Sequence, residues 1–133
     1  MTTSDPTRTA RIALGTAFTG AGIAHVVKHD FFESLVPESL ARWRTPISAV
    51  TAVIQFVGGI SMFVPRLRVL ARWNNLVMLL PTLPAAFAQT RHPDQMRALG
   101  VNPKLVVARI PAQILVATAT WWATRPPAGT HVN

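Results

Sequence analysis

No cysteine occurs in the 133 residues, which excludes a structural disulfide, a thiolate nucleophile and a dithiol redox centre within the chain. It does not fix the compartment. Acids are scarce too: 5 Asp and Glu stand against 13 Lys and Arg, a formal charge of +8. With so few acids, no paired buried carboxylates, Ser-His-Asp arrangement or metal-ligand spacing can be assembled, and there is no phosphate loop. Charge of any sign is sparse, at 14% of residues against 50% hydrophobic. Mean hydropathy is +0.31. A basic chain could suit nucleic acid, but that partner needs a basic face or arm on a soluble body. Here the cations sit in short segments between long uncharged runs, as membrane-flanking cations do, and nucleic acid is set aside as a partner. No internal repeat is evident, and the length suits one domain.

What is present is a series of four uncharged runs. The first, Ile12 to Val27, is closed by Arg11 and Lys28 and would rise roughly 24 Å as a helix, slightly short of a hydrocarbon core of about 30 Å. The flanking Arg11 and Lys28 are expected to extend their stems along lipid and lengthen that span. Gly15, Thr19, Gly22 and Val26 follow helical spacing, as do Ala17, Ala21 and Ala24. Small-residue ridges let a second backbone approach closely in lipid, so this helix is expected to be the seam on which other spans dock. Further apolar segments follow it and no small-x-small cleavage pattern ends it, so it reads as a retained span and not a signal peptide.

Residues 28–46 are expected to lie in the interface. Phe31, Phe32, Leu35 and Val36 fall on one stripe with Glu33 and Ser34 opposite, Pro37 breaks it, and Trp43 suits a headgroup anchor. The second span, Ile47 to Val64, carries Thr51, Gln55 and Gly59 on one narrow polar or small stripe that should face other helices. The third, Trp73 to Thr90, contains Pro81 and Pro84 and is expected to kink, with Asn74 and Asn75 at its polar end. The fourth, Leu105 to Thr124, holds Arg109 in its first turns and ends at Trp121, Trp122 and Arg125-Pro126-Pro127. The expected domains are a disordered tail over 1–8, a four-span transmembrane domain over 9–125 and a second tail over 126–133. The fold class is an all-α integral membrane four-helix bundle with a short interfacial helix between its first two spans. The arginine-dense connector Arg66, Arg68, Arg72 and the amino-terminal Arg8 and Arg11 place both termini in the cytoplasm of a multi-pass inner (plasma) membrane protein.

The run R-x-x-L-G with G-x-x-H (Arg11, Leu14, Gly15; Gly22, His25) resembles the first helix of the DoxX-like small membrane proteins. FFxxLVP after it resembles that family's next segment; GGISMFVPRLRVLARW is similar to its second-helix exit, and Ala108 to Gln113 to the start of its fourth helix. The resemblance implies a four-helix membrane bundle, with some members linked to respiratory or oxidative-stress complexes. Gln55 stands where relatives often carry glutamate, which removes an ionisable group.

Arg109 is the most informative side chain. An arginine inside a span is costly unless it faces a partner, water or the interface. Gln113, one turn on, shares its face. The pair reads either as an internal pocket for a lipid phosphate or quinone oxygen, or as a snorkelling cation with a neighbour. His25 closes the first helix, as a dipole cap or a pocket residue; metal and haem are not expected, since further ligands are lacking. Gln55 suits an interhelical hydrogen bond or the same pocket. Gly15, Gly22 and Gly59 are the expected helix-packing residues. No catalytic residue is expected. The first function expected is a non-catalytic accessory or scaffold component of a cell-envelope or redox-associated complex, without a cofactor, that meets membrane lipids and other membrane proteins or itself. The alternative is a lipid- or quinone-binding oxidoreductase subunit using Arg109, Gln113, Gln55 and His25.

Overall fold

A computed structural model describes residues 5–126 and is helical throughout, with no strand among the described residues. In chain order the α-helices are α1 (Pro6–Val27), α2 (His29–Ser34), α3 (Arg44–Phe63), α4 (Arg68–Thr90), α5 (Pro93–Ala98) and α6 (Pro103–Ala123). A 3-10 turn over Glu38–Trp43 leads into α3, and another over Pro65–Leu67 leads into α4. The long helices pack in a cycle: α1 on α3, α3 on α4, α4 on α6, and α6 back on α1.

Local chemistry sets the helix starts. Asp5 accepts from the Thr7 N–H at 3.0 Å and the Thr7 hydroxyl at 2.7 Å, with Pro6 next in the first turn. That hydroxyl bond holds the exposed Asp5 carboxyl below the usual carboxylate range. Asn102 accepts from the Lys104 N–H at 3.0 Å ahead of Pro103 and starts α6 in the same way. The expected tail over 1–8 is therefore corrected. Residues 5–8 cap and open α1 because Asp-Pro-Thr is a helix-start sequence, while residues 1–4 lie outside the described residues. The tail expected over 126–133 also lies outside them, apart from Pro126.

Helix α1, the segment Glu38–Phe63 and helix α6 are long and apolar enough to cross a membrane. Helix α4 is long enough at 23 residues, but Arg68, Arg72, Asn74 and Asn75 crowd its first two turns and lower its apolarity. It runs unbroken through Pro81 and Pro84, with the Thr82 hydroxyl donating to the Leu79 carbonyl at 2.9 Å beside the first of them.

The seam between α1 and α3 is made of small residues. A Cβ at Gly15 would come within 3.0 Å of the Gly59 carbonyl and the Phe63 ring. One at Gly22 would lie 3.0 Å from the Ala52 carbonyl and the Phe56 N–H nitrogen. Gly59 sits directly against Thr19 and the Gly15 carbonyl. Val26, on the same expected ridge, is instead 68% exposed and lines an open groove with Ala49 and Val53 of α3. Gly20 and Ala17 face outward.

Arg11 departs most from expectation. It is buried, inside α1 and not at its end, and donates to the Ala123 carbonyl at 2.9 Å and the Thr7 hydroxyl at 3.2 Å. Arg72 donates to the Thr124 hydroxyl at 3.0 Å and lies over the Trp121 ring. Two cations thus hold the carboxyl-terminal end of α6, where unpaired carbonyls concentrate negative charge.

Candidate functional site

Polar side chains are buried beside an apolar core. Asn75 and Thr120 are fully buried, and Ser48, Ser61 and Thr124 are nearly so. The outward face of α4 presents Val69, Leu70, Trp73, Val77, Leu80 and Phe87, all exposed. So many large apolar side chains on the surface suit hydrocarbon surroundings better than water.

Along α4 the inward polar positions are Asn75, Thr82 and Gln89, each seven residues from the last, so all lie on one face. Opposite them, α6 presents Arg109 and Gln113 on successive turns. Arg109 donates through Nη1 to Gln89 Oε1 at 3.2 Å, and Gln113 donates through Nε2 to Thr82 Oγ1 at 3.1 Å. Gln89 in turn donates through Nε2 to the Leu35 carbonyl at 3.3 Å, which ties the end of α2 to the same network. The Gln89 orientation is fixed by its partners: a carbonyl can only accept, so Nε2 turns to Leu35 and Oε1 to Arg109. Thr82, whose hydroxyl donates to the Leu79 carbonyl, accepts from Gln113.

Two groups are left unbalanced. The half-buried Arg109 has no carboxylate partner: among the described residues the cations paired with acids are Arg11, His29, Arg44 and Arg97. Gln113 Oε1 is buried and accepts nothing. His25, in the last turn of α1, makes no hydrogen bond to Arg109, Gln113 or Gln89. Its ring stacks on Phe32 at 3.7 Å between centroids, and its Nδ1 is buried without a partner. Gln55 has a buried, unpartnered Oε1 on α3 and makes no hydrogen bond to Arg109, Gln113 or His25. The structure therefore joins Arg109 and Gln113 through α4 and leaves both His25 and Gln55 outside the hydrogen-bond network. Gln89 and Thr82 were missed in the sequence, although their seven-residue spacing from Asn75 was there to read.

Asn74 and Asn75 also sit differently from a polar helix end. They press into the gap left by Gly58 on α3, and Asn74 Nδ2 donates to the Ile54 carbonyl at 2.8 Å. On the outer side of α3 and α4 an open groove of about 750 Å³ runs between Trp43 and Trp73, with Thr82 in its wall. No three His, Asp or Glu side chains come together among the described residues.

A family model described as a domain of unknown function (DUF8561) matches residues 14–124. The chain belongs to this family. The matched stretch takes in the α1–α3 seam, the α4 polar face and the whole of α6, so the DUF8561 domain contains the complete network around Arg109. No curated protein and no solved structure matches the chain.

Proposed function

We propose that this DUF8561 protein is a four-span integral membrane protein that holds an anionic or carbonyl-bearing small molecule at Arg109 and acts as a non-catalytic accessory component of a membrane complex. The observation that carries this reading is Arg109 itself, a half-buried cation inside an apolar helix with an amide and no acid as its partner. A charge in that setting calls for a compensating group. A lipid phosphate or a quinone oxygen would supply one. The groups that meet here hold and orient; a guanidinium and carboxamides do not exchange protons in the working range.

The fourth span is supported by packing. Helix α4 lies along both α3 and α6, turns its apolar face outward and keeps Asn75, Thr82 and Gln89 inside. The order and spacing of the four sequence segments support kinship with the DoxX-like proteins. Arg66, Arg68 and Arg72 at one end favour a cytoplasmic location for that end and for both termini in a plasma (inner) membrane.

Lipid or quinone retained through mild detergent purification tests the site, read by native mass spectrometry. Wild type is expected to retain such a molecule, Arg109→Lys to hold it less well for want of a planar fork, and Arg109→Leu to lose it. Equal retention in all three would contradict the reading.

A further inference from the structure

We infer that the ligand at Arg109 is an anionic phospholipid whose headgroup also carries a free hydroxyl, with its phosphodiester on Arg109 and its hydroxyl donating to Gln113 Oε1. This rests on the reading of Arg109 as an anion site and adds the second half of the headgroup. Thr82 gives its proton to the Leu79 carbonyl at 2.9 Å and accepts from Gln113 Nε2 at 3.1 Å. Gln113 Oε1 is then turned away from α4, buried and without a donor. Arg109 is held the same way: Gln89 Nε2 is committed to the Leu35 carbonyl, so Gln89 Oε1 takes one guanidinium N–H and leaves the others free. The site therefore has surplus donors carrying positive charge and, one turn further along α6, a surplus acceptor.

Few headgroups meet both demands. A phosphodiester whose headgroup has no hydroxyl answers only the cation. A choline headgroup brings a second cation toward Arg109 and no hydroxyl. A glycerol phosphodiester carries one negative charge and free hydroxyls, and so answers both. Position favours a lipid over a soluble anion. Arg109 lies two turns below the start of α6, tied through Gln89 to the end of the short helix α2. Thr82, which orients Gln113, also lines the apolar groove between α3 and α4, where an acyl chain can lie.

The test uses the full chain in mild detergent with equal amounts of phosphatidylglycerol, phosphatidylethanol (the same charge with no hydroxyl) and phosphatidylcholine, read by native mass spectrometry. Wild type should retain phosphatidylglycerol roughly fivefold to tenfold over phosphatidylethanol, the scale of one buried hydrogen bond, and both over phosphatidylcholine. Gln113→Leu should bring phosphatidylglycerol down to the phosphatidylethanol level. Thr82→Val, which keeps side-chain volume and frees the Gln113 amide to rotate, should do the same if Gln113→Leu folds poorly. Arg109→Leu should remove the preference for both anionic lipids. Equal retention of the two anionic lipids in wild type, still dependent on Arg109, would overturn this inference and leave the anion site standing. Equal retention of all three lipids in wild type and Arg109→Leu would overturn the anion site as well. Displacement of phosphatidylglycerol by millimolar inorganic phosphate would show a soluble anion in the lipid's place.

Discussion

At Gly59 a methyl group would collide with the Thr19 backbone on the neighbouring helix, and backbone cannot swing aside as a side chain can. Gly59→Ala should therefore push α1 and α3 apart and cost about 1–3 kcal/mol, read as a lowered Tm in detergent. Gly15→Ala and Gly22→Ala, whose new Cβ atoms would lie 3.0 Å from their neighbours, should cost less. Gly20→Ala enters open space and should be neutral or stabilising by up to about 1 kcal/mol, since alanine favours helix. Equal losses at Gly59 and Gly20 would place the seam elsewhere. Spacing made these glycines legible in the sequence. It did not name α3 as the helix that meets Gly15 and Gly22, because the partner's shape is set by residues distant in sequence. Arg109 was equally visible as a cation within an uncharged run. Its partner Gln89 was not, since it lies twenty positions earlier on another helix.

At the scale of elements, the four long apolar or mixed runs could be read to within a few residues, and Asn102-Pro103 marked the start of α6. The amino-terminal boundary was set too late, because the arginine at position 11 looks like the edge of a span when hydropathy alone is read. Structure explains its presence inside: Arg11 satisfies the Ala123 carbonyl at the end of α6, a contact 112 residues distant in sequence. Arg11→Leu should leave that buried carbonyl unpaired and cost about 1–3 kcal/mol in detergent, whereas Arg8→Leu, on the exposed side of the same helix, should change stability by less than about 0.5 kcal/mol. Similar Tm values for the two variants would remove the tie between α1 and α6. The α4 polar face was obscured by its prolines, which drew attention to a break, although the helix continues through both.

For the molecule as a whole, the large apolar side chains on its exterior are the property from which the rest follows. They suit hydrocarbon around α1, α3 and α6, and α4 packs beside them with Arg109 bonded to its Gln89. Fractionation is the broad check: the protein should stay with membranes through carbonate and high-salt washes, and release by either would contradict residence in the bilayer. The sharper question is whether α4 crosses, because three helices pass on length and apolarity while the polar network needs the fourth. The absence of native cysteine makes that question direct. Single-cysteine variants Arg66→Cys, just ahead of α4, and Gln95→Cys, in α5 just beyond it, can be probed with a membrane-impermeant maleimide on intact cells and again after permeabilisation. The account requires Gln95→Cys to label in intact cells and Arg66→Cys only after permeabilisation. Labelling of both variants from the same side would mean that α4 does not span the bilayer, and would contradict the account.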